Sequence, residues 1–350
     1  MKEQLIDYLK TKMSVDEVGG SLFATKVMGV LNAPVERTIR EIKEYFSRTE
    51  YTPLFTEEKG KHVVQIGIYK KAGARPRITL NIILFIATIL STIFAGSLNS
   101  GGNPFENFSD LWLGIPFSVS IMAILTCHEL GHYLVSRRAG MITSLPYFIP
   151  MPLHFLGTFG AVIRMKSIVP SRNTLLRVGM SGPIAGFLVA VPVCIIGICL
   201  SEVATVPDTP GLLMLGNSLL FSFLAAVFHP GIPPGYDLML HPVAFAGWIG
   251  LFVTSMNLIP IGQLDGGHVM YSLLLKKRRY LYIPIFAALI GLGFLWYGWF
   301  VWIVLAYFIA RRDPVIQDTV TPLSAREKIY AIVPYVILIL TFVPQPFVIS

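Results

Sequence analysis

From Val178 to Leu275 the chain carries no lysine or arginine, and most of that stretch is apolar. Soluble domains of ordinary composition carry about 25% charged residues. This chain of 350 residues has 14% charged and 54% hydrophobic residues, and a mean hydropathy of +0.65. The charge is concentrated, because residues 1–77 hold 14 of the 28 Lys/Arg and 10 of the 20 Asp/Glu. Beyond them come apolar runs near the ~20 residues a membrane-spanning helix needs. The pattern predicts a mainly α-helical polytopic membrane protein carrying a small α/β N-terminal domain.

The division is expected at residues 1–72 for a cytoplasmic α/β domain and 73–350 for a membrane-embedded domain. In the first part, EQLIDYLKTKM and VERTIREIKEYFSR have helical apolar spacing. YTPLFTEE and HVVQIGIY, around KGK, read as a hairpin.

Apolar segments near 78–98, 113–136, 174–200, 241–275 and 330–348 read as spans. The stretch 281–310 reads as a tight helical hairpin turning near Gly291 to Trp299. Orientation follows from the Lys/Arg bias. Lys70, Lys71, Arg75 and Arg77 precede the first span, Arg137 and Arg138 follow the second, and KKRR occupies 276–279. The loop Asn99 to Asp110 has no Lys or Arg and belongs on the opposite side. Parity then makes 211–228 an interfacial or re-entrant helix on the outer side. The Pro/Gly-rich segment 141–173 reads as a re-entrant loop with a strand at Thr158 to Met165. About 6–8 membrane segments are expected, counting re-entrant elements. With no secretory or transit peptide legible, the expected location is the cytoplasmic membrane of a prokaryote, with the N-terminus cytoplasmic.

Three cysteines, an odd number and all in apolar spans, read as small hydrophobes and not as a disulfide framework. The net charge of +8 comes without a basic run interleaved with aromatics, so nucleic acid is not an expected partner.

Within an otherwise lipid-compatible segment, LTCHELGHYLVSRRAG places His128, Glu129 and His132. Ionisable side chains are costly in hydrocarbon and mark function when present. His128 and His132 are four apart, hence on one helical face, the spacing with which two imidazoles share a tetrahedral Zn²⁺. Glu129 beside them suits a general base for metal-bound water. A catalytic site needs a third protein ligand, and the candidate is Asp265 in NLIPIGQLDGGH. If helical, His128 lies about 13 Å from Arg137 and Asp265 about 16 Å from Lys276, so the two groups should meet at a similar depth. Pro260 and the glycines around Asp265 should break that helix.

The combination of HELGH with NLIPIGQLDGG, of the form NxxPxxxxDG, resembles the site-2 protease family of intramembrane zinc metalloproteases. GTFGAVIRMKS, SGPIAG and RRDPVIQDTVTPLSAR resemble its EGY-like branch, here without a PDZ insertion. The resemblance implies His128, His132 and Asp265 as ligands of Zn²⁺, Glu129 as catalytic base, and Asn257 as a polar group near the substrate. That branch commonly has Arg after DGG, where this chain has His268, for which a role behind the ligands or on the surface is expected.

The expected function is hydrolysis of peptide bonds within or near transmembrane segments, as in regulated intramembrane proteolysis. The partners are then the lipid bilayer and membrane-spanning protein substrates, single-span regulators among them, bound in extended form against the 158–165 strand. The rival readings are a catalytically silent membrane chaperone or adaptor and a metal-linked transporter. Gly182 and Gly186, four apart in SGPIAG, are expected to bring helices close together.

Overall fold

The computed structural model describes residues 2–20, 24–69, 78–205, 213–310 and 313–349. The N-terminal region is built from α1 (Lys2–Lys12), β1 (Met13–Gly20), β2 (Ala24–Leu31), α2 (Val35–Ser47), β3 (Thr52–Glu58) and β4 (Lys61–Gly67). Its strands form one antiparallel sheet in the order β1-β2-β4-β3. In α2, Ile39, Ile42 and Phe46 recur at helical spacing and are buried with Leu5, Leu9, Phe55 and Val64. The expected β3–β4 hairpin is present, turning at Lys59 and Gly60, both with positive φ. The hairpin of β1 and β2 was not anticipated, because acidic residues and Gly19–Gly20 blur its alternation.

Among the described residues, three helices are long and apolar enough, by length and composition, to cross a membrane. They are α3 (Ile78–Asn99), α4 (Ile115–Arg138), which continues a 3₁₀ turn from Phe108, and α5 (Arg172–Cys199). Between α4 and α5, β5 (Tyr147–Pro150) pairs antiparallel with β6 (Thr158–Val162). The strand expected at 158–165 is therefore shorter and already half of a hairpin. Its irregular backbone needs donors in an apolar setting, and α3 supplies them. Asn81 Nδ2 donates to Leu145 and Pro146 carbonyls at 3.1 and 2.7 Å, and Ser91 Oγ to Gly157 at 2.6 Å.

After α5 come β7 (Glu202–Thr205), β8 (Leu213–Leu215), α6 (Leu219–Phe228) and β9 (Tyr236–Met239). The helix expected within 211–228 thus occupies its last ten residues. The segment 241–275 is not one helix. It is α7 (Pro242–Leu258), a break, and α8 (Asp265–Leu274). The cause is Pro260, which disfavours the α conformation of the residue before it; Ile259 is extended, with φ −57° and ψ 128°.

A 3₁₀ segment, Leu275–Leu281, leads to α9 (Tyr282–Gly293) and α10 (Gly298–Ala310), which pack together and break where the hairpin was expected to turn. The single span expected at 330–348 is replaced by α11 (Ala325–Tyr330), α12 (Val333–Thr341) and β10 (Phe347–Ile349), which pairs with β8. Pro334 lies in the first turn of α12, where its missing N–H costs nothing, and it starts a new helix there. The charges at 70, 71, 75 and 77, on which the orientation partly rested, lie outside the described residues.

The centre of the membrane part is the packing of α4, α5 and α7, with Ile121, Ile124, Ala190, Cys194, Trp248 and Leu251 buried together. Small residues permit the close approach that drives helix association where apolar burial does not. A β-carbon on Gly250 would lie 2.7 Å from Ile124 and one on Gly247 2.6 Å from the Cys194 sulfur. Large apolar side chains such as Ile83, Leu90, Leu188, Val304 and Phe308 point outward, as a lipid-facing surface requires. The cysteines are all free, and Cys199 is exposed on that surface, unlike buried Cys194.

Candidate metal centre

Helix α4 delivers His128, Glu129 and His132, all buried, and α5 packs along the same face. The His132 ring is fixed by a 2.7 Å bond between Nδ1 and the carbonyl of Val178 on α5. A carbonyl can only accept, so Nδ1 carries the proton and Nε2 is left with a lone pair. Glycine is what lets these rings fit. A β-carbon on Gly182 would overlap the His132 ring, and one on Gly186 would lie 3.1 Å from His128 Nδ1. Gly179 completes this small-residue face, backing onto His268 and Asp265.

Asp265 arrives from the other side as the first residue of α8, immediately after the Ile259–Leu264 break. A carboxylate there is favoured by the N-terminal end of the helix dipole. His128 Nε2 lies 3.3 Å and His132 Nε2 3.2 Å from the Asp265 carboxylate oxygens, and the two Nε2 atoms are 3.2 Å apart. The fold thus brings together His128, His132 and Asp265, the residues expected at a similar depth.

These separations test whether a metal fits. In a tetrahedral zinc site with ligand bonds of ~2.0–2.1 Å, neighbouring ligand atoms are about 3.3 Å apart. The Nε2–Nε2 separation is of that size, as is the distance from each histidine to one Asp265 oxygen, Oδ2 for His128 and Oδ1 for His132. One donor atom from each residue lies within 4.8 Å of the others, and two imidazoles and a carboxylate are a donor set zinc accepts. Among the described residues this is the one His/Cys/Asp/Glu cluster with metal-holding geometry. Glu129 is next to the cluster in α4 but outside it.

The remaining expectations divide. Asn257 lies in the last turn of α7, half-buried and without a side-chain hydrogen bond among the described residues. His268 is buried, so a surface role is excluded, and its Nδ1 has no hydrogen-bond partner among the described residues. The other histidines are held by backbone: His62 accepts from Leu31 N, His154 from Leu156 N, His241 caps α7, and His229 Nε2 bonds the Ile198 carbonyl. None joins the cluster.

Sequence reasoning missed the residues that hold the Asp265 turn. Arg278, fully buried, donates to the carbonyls of Gly262 and Gly267 at 2.9 Å each. Tyr335 Oη donates to Gly266 O at 2.9 Å, and the Tyr282 hydroxyl accepts from Gly262 N at 3.2 Å. Broken backbone at membrane depth needs polar partners, and these side chains supply them. Their only signal was a basic residue in KKRR that topology had already claimed. Gly179, by contrast, was legible as the first of three glycines spaced 3 and 4 apart.

Taken together, a buried His-His-Asp cluster with an adjacent glutamate, set among apolar helices, defines a membrane-embedded metal-site protein. The chain belongs to peptidase family M50, the site-2 protease family, whose sequence pattern matches residues 116–297. That match contains His128, Glu129, His132, Asn257 and Asp265. Among curated proteins, the chain is 31% identical over 253 residues to "Probable zinc metalloprotease EGY2, chloroplastic" of Arabidopsis thaliana, covering 69% of this chain and 44% of that one. It is 26% identical over 398 residues to "Probable zinc metalloprotease EGY1, chloroplastic" of Oryza sativa subsp. japonica, covering 98% and 67%. The chain thus spans less than half the length of the first of these. No solved structure matches.

The prokaryotic inner membrane expected from the sequence is corrected by these relatives. They are chloroplastic proteins of plants, which points to an organellar membrane instead. The expectation had rested on the beginning of the chain, which does not identify the compartment.

Proposed function

We propose that this chain is a zinc metalloprotease that hydrolyses peptide bonds within or near transmembrane segments of other membrane proteins. The observation that carries the reading is the cluster of His128, His132 and Asp265, with one donor atom from each within 4.8 Å of the others, beside Glu129 and inside an apolar helix core. His128, His132 and Asp265 would hold the metal. Zinc bound there would polarise a scissile carbonyl and acidify a water.

The chain's own residues do the rest. Val178 keeps His132 in the tautomer that presents Nε2. Glu129 accepts a proton from the attacking water and returns one to the leaving amine nitrogen. Asn257, with its amide unengaged, offers a donor to the substrate carbonyl. A helical substrate hides its carbonyls in internal hydrogen bonds, so it must unwind first, and the β5–β6 hairpin is suited to receive an extended strand.

On this reading the membrane domain begins near residue 73 and comprises about 6–8 membrane segments, with α6, α9, α10 and the 141–173 loop among the partial ones. The N-terminal module of 1–72 sits on the Lys/Arg-rich side, and single-span proteins of an organellar membrane are the substrate class.

The test is cleavage of a panel of tagged single-span proteins by purified chain in detergent, wild type beside Glu129→Gln, with zinc counted in both. Cleavage by wild type alone, at equal zinc, supports the assignment. Equal cleavage by both variants refutes it.

A further inference from the structure

The Asp265 turn is a tight backbone knot. A β-carbon on Gly267 would lie 2.5 Å from the carbonyl oxygens of both Ile261 and Gly262, and one on Gly266 would overlap the Leu258 carbonyl. The last turn of α7 and the first turn of α8 are therefore in direct backbone contact, with Asp265 between them. Such a turn leaves carbonyls without helical partners, and at membrane depth these need donors.

One buried cation supplies two of those donors. Arg278 Nη1 reaches both the Gly262 and Gly267 carbonyls, on either side of Asp265 in sequence. Its guanidinium stacks 4.7 Å from the Tyr271 ring of α8, and its Nη2 donates to Asp313 at 2.7 Å. Arg279 also bonds Asp313, from the exposed side. The planar fork is what allows one side chain to bridge two carbonyls and a carboxylate, a task an ammonium cannot duplicate.

Asp313 is itself held. It opens a strap, 313–323, whose Val315 carbonyl accepts from Val169 N at 3.1 Å and whose Gln317 N donates to Val169 O at 2.7 Å. The strap continues to β3, where Phe55 N donates to Gln317 O at 2.7 Å and Thr319 N to Phe55 O at 3.0 Å. Ile316 packs with Tyr271 of α8 and Val178 of α5, the residue whose carbonyl orients His132.

We propose that the pair of buried Arg278 and half-buried Asp313 is a positioning device for the metal centre, fixing the Gly262–Gly267 turn so that the Asp265 carboxylate stands opposite His128 and His132. Neither residue touches the metal or the substrate. The inference rests on Asp265 being a metal ligand, as argued above. Groups that orient a ligand from behind commonly change metal affinity 10–100-fold when altered.

The experiment uses the full chain in detergent, equilibrated with zinc chelators of graded affinity, and separately loaded with cobalt(II) to read its visible spectrum. Asp265→Ala tests the underlying reading: it must weaken zinc binding, and if it does not, Asp265 is no ligand and the proposal falls with it. Given that loss, Arg278→Lys keeps the charge and loses the fork, while Asp313→Asn keeps the shape and loses the carboxylate. Both are expected to elute and melt like the parent, to bind zinc roughly 10–100-fold more weakly, and to shift the cobalt bands. Folded variants with zinc affinity within twofold of the parent and an unchanged cobalt spectrum overturn the proposal. Failure of both variants to fold also overturns it, because it assigns the pair to folding and not to the metal turn.

Discussion

Gly182 of α5 and His132 of α4 are packed so closely that no side chain could occupy position 182 without displacing the imidazole. Most of the site's precision follows from this contact, since the same ring is held on its other nitrogen by Val178, one turn earlier on α5. Gly182→Ala should therefore strip the metal, either by turning His132 or by forcing α4 from α5, an overpacking that costs about 1–3 kcal/mol. Gly186→Ala, where the new carbon meets His128 at 3.1 Å, should be milder. Zinc per chain in the two variants checks this, and full zinc in Gly182→Ala would refute it.

Metal removal should be reversible and stabilising on reversal. The helices around the site are held by their own apolar packing, with Ile121, Ile124, Ala190, Cys194, Trp248 and Leu251 buried together, so removing the metal should not unfold the helix core. Returning zinc at 1,000 times its dissociation constant should raise stability by about 4 kcal/mol, read as a higher melting temperature, with cleavage restored in parallel. Irreversible loss of fold on chelation would contradict this.

The junction between the N-terminal sheet and the strap hinges on Asp318, buried and accepting bonds from Lys43, Val320, Thr321 N and Thr321 Oγ1. Asp318→Ala leaves these donors unpaired and should cost about 3 kcal/mol locally. Faster hydrogen exchange in 52–58 and 313–321, with α4 and α5 unchanged, is the expected signature.

Acid should loosen the N-terminal helices before the membrane core. The Lys12 ammonium, and then the Arg37 guanidinium, hold the Glu41 carboxyl below its ordinary range. A depressed carboxyl contributes stability above its unfolded value of ~4.3, and that contribution is lost as pH falls through the lower folded value. Exchange of α1 amides should therefore rise below about pH 4, and Glu41→Gln should abolish the step while lowering protection at neutral pH.

The sequence alone determined what chemistry the chain can support. Two histidines and a glutamate at helical spacing in an apolar run, and an aspartate in a Pro/Gly-broken one, are visible because hydrocarbon tolerates such residues only for a reason. The long apolar helices α3, α4 and α5 were legible for the same cause, and so were the SGPIAG glycines. Only the tertiary structure decided how these parts meet. It split 330–348, where Pro334 starts a new helix despite continuous hydrophobicity, and it turned the 158–165 strand into a hairpin tied to Asn81 and Ser91. It also drew Arg278 inward, because backbone carbonyls freed at the Asp265 turn need a donor, and which side chain reaches them depends on packing that no local pattern encodes.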